Sequence, residues 1–132
     1  MNEGVFLMEM DDSLNVFGEK LELCGEDPVT GFYRDGLCNT CDEDVGSHTV
    51  CIEASQEFLE HSRFKGNDLS TPIPEFGFKG LKPGNSWCLC AARWLEAFEG
   101  GMAPRVHLTR THIKALEIVP LDLLKKYAVD LN

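Results

Sequence analysis

The sequence predicts an α+β fold: a single compact domain with a small mixed or antiparallel sheet, three to four short helices and two long ordered loops. Three observations support this prediction. The chain has 132 residues, which suits one domain with one sizeable core. Strand-like and helix-like apolar patterns are mixed along it, without regular βαβ alternation. Two long stretches are rich in turn-forming residues and have little periodicity, which is typical of functional loops.

The first third of the chain contains few regular elements. Residues 1–13 are acidic and weakly patterned, so we expect a loose arm there and a globular domain over residues 14–132. The segment "LNVFGEKLELC" contains two short apolar pieces around Gly18, which favours a hairpin. Residues 25–47 form the first long loop, in which "EDPVTG" is a turn signal.

The middle of the chain predicts a strand, a helix and the second long loop. The word "SHTVCIEA" has the apolar run of a buried strand. The following "SQEFLEHSRFKG" predicts a helix, with Ser55 as N-cap and Gly66 just past its end. Residues 66–86 carry prolines and glycines throughout, so we expect an irregular loop that crosses the surface or lines a cleft.

The last third predicts a second strand-to-helix unit and a helical end. "SWCLCAA" predicts a strand that leads into the helix "ARWLEAFEGG", and "PRVHLTR" alternates as a half-exposed strand does. Two further helices are expected in "THIKALEIV", capped by Thr111, and in "PLDLLKKYAVDL". If the two strands that carry Cys51 and Cys90 pair, these two cysteines approach each other.

Charge and composition exclude several classes of function. The chain carries 22 acidic and 12 basic side chains, a formal net charge of -10. An acidic chain repels phosphate backbones and anionic lipid surfaces, so we expect neither nucleic-acid nor membrane binding. The N-terminal stretch lacks the positive start of a signal peptide, and no window has transmembrane length, which favours a cytoplasmic location. Six cysteines in that compartment predict buried thiols, a metal site or chemistry before disulfides.

A thiol-based active site is one interpretation of the first loop. A reactive cysteine needs a nearby imidazole or a helix N-terminus. Cys38 lies in the loop, where it is free to meet His48, and Asp44 is a carboxylate that could orient the imidazole. The alternative is that His48 is a loop residue bonded to nearby backbone.

A zinc-stabilised structural or interaction module is the alternative from a different class. Cys38-x-x-Cys41 is half of a zinc knuckle, but the second half would be a CxC pair, which fits only partly. Under this alternative zinc is the cofactor; otherwise we expect none. The candidate ligands are the thiols and the imidazole of the central segment: Cys38, His48, Cys51, Cys88 and Cys90.

The two long loops also carry polar residues that suit a binding pocket. Arg34 can bind a carboxylate or phosphate through two parallel hydrogen bonds, and Asp35 follows it. Asn67 and Asp68 lie in the second loop and can orient hydroxyl groups, and Trp87 can supply an apolar wall. Asn and Asp also brace turns through their own backbone, so a structural role stays open.

Several long words, in order, carry a resemblance to a known family: "NVFGEKLELC", "DPVTGFYRDGLCNT", "EDVGSHTVC", "GNDLSTPIPEFGFKGLKPG", "WCLCAARWLEA" and "TRTHIKALEIVPL". From about Asn15 to Ala128 the chain resembles small bacterial proteins catalogued as domain of unknown function 2237. The resemblance implies one domain and no particular activity. It also implies that five cysteines stand at family positions, while Cys41 stands where the family is expected to have glycine and Leu37 where it has a second cysteine. The polar site candidates of both loops fall inside the matching words.

The sequence therefore predicts a small cytoplasmic protein with a pocket between residues 25–47 and 66–86. Its ligand would be an unidentified small polar molecule, and thiol-dependent catalysis on that molecule stays open. The zinc module is retained as the alternative. The oligomeric state does not follow from the sequence.

Overall fold

The computed structural model describes residues 13–131, and the α+β class is confirmed. A three-stranded antiparallel sheet forms its centre, with the strand His48–Glu53 between Ser86–Cys90 and Arg105–Val106. Three short 3₁₀ helices cover Pro74–Phe76, Leu108–Arg110 and Ile113–Glu117. The main elements in chain order are β1 (His48–Glu53), α1 (Gln56–Phe64), β2 (Ser86–Cys90), α2 (Ala91–Glu99), β3 (Arg105–Val106) and α3 (Leu121–Lys126).

The central strands separate two buried clusters because successive side chains point to opposite faces. Val50, Ile52 and Leu89 belong to the main apolar core with the helices. Cys51 and Cys88 alternate with them and belong to a smaller cluster of four buried cysteines. The first third of the chain therefore covers one face of the sheet, and the helices cover the other.

The register of β1 and β2 corrects one expectation. Cys51 lies opposite Cys88, and His48 lies opposite Cys90. The strands pair as the sequence suggested, but they do not bring Cys51 to Cys90. The ladder is irregular between His48 and Val50, which alters the alternation at the His48 end of β1.

The two longer helices begin and end as their sequences indicate. The Ser55 hydroxyl accepts the Phe58 N–H at 3.1 Å and caps α1. α2 begins directly after Cys90 and buries Trp94, whose indole N–H donates to the Pro104 carbonyl at 3.2 Å. None of the helices within residues 13–131 is long and apolar enough to cross a bilayer.

Two disulfides hold the first long loop against the sheet. Cys24 is bonded to Cys51, and Cys38 is bonded to Cys88. Residues 25–47 contain turns and one isolated bridge but no helix or strand, as expected for an ordered loop. Gly31 has a φ of 101°, and a Cβ there would meet the Leu37 carbonyl, so only glycine fits this turn.

Three local predictions differ from the structure. The expected hairpin around Gly18 is a turn closed by one bridge between Leu14 and Lys20. The strand expected in "PRVHLTR" ends at Val106, because a 3₁₀ helix begins at Leu108. The segment after Thr111 is 3₁₀ rather than α-helical, and its cap is His112. The loose arm expected over residues 1–13 lies, except for Ser13, outside the described residues.

Candidate functional site

His48, the first residue of β1, is the centre of a three-residue cluster. Its Nδ1 lies 2.6 Å from Oδ1 of Asp44, and the thiol of Cys90 lies beside its ring, where it raises the pKa of His48. Since Asp44 occupies Nδ1, Nε2 is the ring nitrogen left for the thiol. The cluster therefore runs in the order carboxylate, imidazole, thiol.

Asp44 is rigidly held. Its side chain is completely buried, and Oδ2 accepts from the Thr40 hydroxyl and from the His48 backbone N–H, each at 2.9 Å. The turn between Asp44 and His48 is closed by the Ser47 N–H, which donates to the Asp44 carbonyl at 3.0 Å. A carboxylate with three fixed contacts sets both the orientation and the tautomer of the imidazole.

Cys90 reaches the imidazole from the end of the neighbouring strand. It lies opposite His48 in the β1–β2 register, is partly exposed, and precedes the first residue of α2. Its side chain makes no capping hydrogen bond to that helix. A thiol beside an imidazole and at a helix N-terminus is the usual setting of a reactive cysteine.

The electrostatics of the pair favour a charged imidazole. The hydrogen bond to Cys90 raises the pKa of His48 to about 9, and Asp44 acts in the same direction, while partial burial opposes both. His48 is therefore cationic at neutral pH. A charged imidazole beside a thiol is the arrangement in which nucleophilic cysteines are commonly found.

Gly46 allows this close approach. A Cβ on Gly46 would lie 3.1 Å from the Cys90 sulfur and 3.1 Å from Cε1 of His48. Both distances are shorter than ordinary van der Waals contact, so a side chain at this position would press against both the thiol and the imidazole.

The thiol of the site differs from the one that the sequence predicted. Cys38 was the expected partner of His48, but it is completely buried and bonded to Cys88. Asp44 and His48 do meet, as predicted. Cys90 was assigned only to the metal set, because a strand pairing of known register is needed to bring it to His48. The sequence feature that pointed toward Cys90 was the pair of segments "HTVC" and "CLCAA", in which a predicted strand with a cysteine near its end leads into a helix.

Residues of the two long loops line a cavity of about 330 Å³ beside His48 and Cys90. Of the predicted binding residues, Arg34 and Asn67 come from the two loops, and Trp87 comes from β2. They line the cavity together with the thiol and the imidazole. The remaining lining residues are Phe32 and Leu69.

Arg34 is fixed at the wall of this cavity. Its Nη1 donates to the Gly31 carbonyl at 2.6 Å, and its guanidinium carbon lies 5.2 Å from the centroid of the Trp87 ring. This stacking leaves further N–H groups of the guanidinium available for a ligand. Among residues 13–131, no carboxylate forms an ion pair with Arg34.

The two predicted acidic residues brace turns. Asp35 accepts the Leu37 N–H at 3.1 Å and does not line the cavity. Asp68 accepts from the N–H groups of Ser70 and Thr71 and from the Thr71 hydroxyl, which lowers its pKa. Asp68 lines an adjacent, larger cavity instead. Both residues therefore make the turn-bracing contacts that the sequence left open as their structural role.

The predicted metal ligands separate into two groups. Cys38, Cys51 and Cys88 join Cys24 in the buried cluster, where all four sulfurs are in disulfides. His48 and Cys90 lie in the cavity. Within the described residues, the sulfurs of Cys24, Cys38 and Cys88 lie within 4.8 Å of one another, which is a metal-binding arrangement only if the disulfides are reduced.

Comparison with known proteins identifies a family without assigning a reaction. Residues 14–128 match the family described as "Uncharacterized protein conserved in bacteria (DUF2237)", and the chain belongs to this family. A search of curated proteins gave no match. The family resemblance noted in the sequence is therefore confirmed, and the function must be argued from the site.

Proposed function

We propose that this DUF2237 protein is a thiol-dependent enzyme that acts on a small polar molecule, with Cys90 as nucleophile. One observation carries the proposal: His48 is held between a buried carboxylate and a partly exposed thiol, at the wall of a cavity. Nucleophile, base and orienting carboxylate in this order are the elements of covalent catalysis.

The reaction type that suits the cluster is acyl transfer. Cys90 would attack a carbonyl carbon, forming a C–S bond, while His48 holds the thiol proton. His48 would return this proton to the leaving group as the bond from carbon to the leaving group breaks. Water, deprotonated by the then neutral His48, would hydrolyse the thioester and release a carboxylic acid. Asp44 positions the imidazole and stabilises its charged form throughout.

The binding role belongs to residues that surround the thiol. Arg34 supplies a positive charge, Asn67 a polar contact and Trp87 an apolar wall. This combination of a largely apolar surface with few polar groups is typical of small-molecule sites. Nucleic acid and membrane surfaces are not proposed as partners, because the net charge of -10 opposes both.

The experiment is site-resolved alkylation. Purified protein without reductant is treated with limiting iodoacetamide at pH 6, and mass spectrometry measures modification at the two free cysteines, Cys41 and Cys90. The proposal expects Cys90 to react faster, and His48→Gln to slow Cys90 without changing Cys41. Equal rates at the two thiols, or a His48→Gln variant that reacts as the wild type does, would contradict it.

A second candidate function rests on the cluster of four buried cysteines. If these thiols are reduced, they form a compact set of soft ligands, and zinc prefers four such ligands in a tetrahedral arrangement. The protein would then be a zinc-stabilised module, with Cys24 in the ligand set and His48 and Cys90 outside it.

The cellular location bears on this alternative. A cytoplasmic location stays a proposal, but disulfides are rare in that compartment. In a reducing compartment Cys24, Cys38, Cys51 and Cys88 would be available for metal, and in an oxidising one they would stay bonded.

Metal analysis tests the second candidate. Protein purified under reducing conditions is analysed for zinc and then treated with a chelator while circular dichroism follows the fold. One zinc per chain, lost together with the fold, would establish the module. Absence of zinc with four thiols protected as two disulfides would exclude it. Neither result affects the alkylation test of Cys90.

A further inference from the structure

A second cavity adjoins the one that contains Cys90. It has a volume of about 540 Å³, and three residues, Arg34, Leu69 and Trp87, line both cavities. The two cavities are therefore adjacent at the Arg34–Trp87 pair. We call the larger cavity the tail groove.

The cavity at Cys90 favours an anionic group. Its lining contains Arg34 and His48 but no carboxylate, and the charge of His48 is balanced by its ion pair with Asp44. The guanidinium of Arg34 has no acidic partner within residues 13–131. In a chain with a net charge of -10, this is a local positive site, and guanidinium matches the geometry of carboxylate and phosphate groups.

The tail groove offers an apolar surface with a charged rim. Ile73, Phe76 and Phe78 line it together with Trp87, and Phe76 is 83% exposed although it is a large apolar residue. Ile73 is also exposed, so the two side chains form an apolar patch beside the cavity, and such patches are typical of ligand-binding grooves. The side chains of Asp27 and Lys79 are 90% and 80% exposed and lie 3.9 Å apart at the rim.

Most charged side chains of the tail groove already have partners within the protein. Asp68 accepts three hydrogen bonds from Ser70 and Thr71 and lies 3.8 Å from Arg63. Asp27 has Lys79 as its partner. Glu26 is exposed and contributes a further negative charge. A second anionic group is therefore disfavoured there, and an uncharged apolar chain is the chemistry that fits.

We infer that the substrate of Cys90 is a small amphipathic acid derivative: an anionic group, carboxylate or phosphate, bound by Arg34 next to the thiol, and an apolar chain lying in the tail groove. This inference rests on the proposed function for the reacting group, but the binding itself needs no chemistry at Cys90. Each buried methylene of the chain favours binding by about fourfold. A chain of several carbons therefore binds measurably better than a short one.

Calorimetry with simple probes tests whether binding needs both the anionic group and the apolar chain. Octanoate and octyl phosphate carry the proposed elements, octanol lacks the charge, and butyrate lacks most of the chain. We expect one or both of the first two to bind, with octanol and butyrate at least about tenfold weaker. If only octyl phosphate binds, the anionic group is a phosphate; if only octanoate binds, it is a carboxylate.

Matched variants separate the contributions of the two cavities. Arg34→Gln should weaken octanoate or octyl phosphate by about fivefold, whereas Lys125→Gln on α3 removes the same charge and should have no effect. Phe76→Ser should weaken binding, whereas Phe64→Ser should not, since Phe64 is 85% exposed and lines neither cavity. Both controls change the surface in the same way as the test variants do.

Alkylation then places the anionic group beside the thiol. Cys90 Sγ displaces iodide from iodoacetate or from iodoacetamide, forming a C–S bond, and the thiol proton passes to His48. The rate with iodoacetate divided by the rate with iodoacetamide, each taken relative to free cysteine, should be about five. This ratio should fall in Arg34→Gln.

The outcomes distinguish this inference from the proposed function. Octanol binding as well as both anionic probes, no binding by any probe, or Arg34→Gln without effect would overturn the inference. Fast alkylation by iodoacetamide that depends on His48 would leave the enzyme proposal standing in each of these cases. Slow alkylation with normal octanoate or octyl phosphate binding would instead overturn the enzyme proposal, along with the assignment of the ligand as its substrate.

Discussion

The substitution Asp44→Asn tests the role of the buried carboxylate at a single atom. The side chain of Asp44 accepts three hydrogen bonds, from Thr40 Oγ1, from His48 N and from His48 Nδ1. The amide oxygen of asparagine can replace Oδ2 and accept the first two. The NH₂ group then faces Nδ1, and because it is a donor, Nδ1 must be unprotonated. The variant therefore disfavours the charged imidazole beside Cys90.

The magnitude follows from the hydrogen bond that the variant loses. A hydrogen bond to a charged group contributes at least about 1.5 kcal/mol, which corresponds to about tenfold in the population of the charged imidazole. We expect Asp44→Asn to slow alkylation of Cys90 at pH 6 by about tenfold. The lost charge-assisted hydrogen bond should also lower the free energy of unfolding by about 1–2 kcal/mol.

The assay is iodoacetamide labelling of Cys90 followed by mass spectrometry, with circular dichroism to establish the fold of each variant. Asp42→Asn is the matched control, because Asp42 lies in the same loop and is exposed. Labelling of folded Asp44→Asn within twofold of the wild-type rate would refute the reasoning, since Asp44 would then not determine the state of His48.

Three further predictions concern the site and the core. His48→Gln should be less stable than the wild type below pH 6.5, and this difference in the free energy of unfolding should vanish as pH rises through about 9. The reason is that a raised folded-state pKa stabilises the fold only while the histidine is protonated. Urea titrations across this pH range measure the difference. Gly46→Ala should slow labelling of Cys90, because its Cβ would lie 3.1 Å from both the sulfur and the imidazole; a fold intact by circular dichroism with an unchanged labelling rate would contradict this. Leu124→Ala should lower the free energy of unfolding by about 2–5 kcal/mol, because Leu124 is completely buried in the main core. A loss below about 1 kcal/mol would contradict this, since it would mean that neighbouring side chains fill the space left by the leucine.

Local patterns in the sequence account for the longer elements. The cap at Ser55, the apolar run of β1 and the helix after Cys90 follow from neighbours in the chain, and the structure has them. The segment after Thr111 was mispredicted because Thr111 bonds elsewhere: its hydroxyl accepts the Cys51 N–H at 3.1 Å and donates to the His107 carbonyl. Such long-range contacts compete with local capping and are not visible in a linear pattern.

The candidate site likewise combines contacts between neighbours in the chain, which the sequence predicts, with contacts that depend on the tertiary fold. Asp44 and His48 are four residues apart, so their contact follows from one turn and was predicted. The choice between Cys38 and Cys90 as the thiol depends on strand register and on which cysteines are bonded, which are tertiary properties. Arg34 and Asn67 come from different loops, and they line one cavity because of how the two loops fold. Asp35 and Asp68 brace their own turns, which short polar side chains commonly do.

Nuclear magnetic resonance titration of His48 tests the central claim most directly, since the claim is that its imidazole is paired with the thiol of Cys90. The Cε1–H signal of His48 should titrate with a midpoint near the pKa of about 9 in the wild type. In Cys90→Ser the midpoint should fall substantially, because the contact with Cys90 is the largest cause of the raised pKa. An unchanged midpoint in Cys90→Ser, or a wild-type midpoint near 6.5, would contradict the pairing and with it the proposed function.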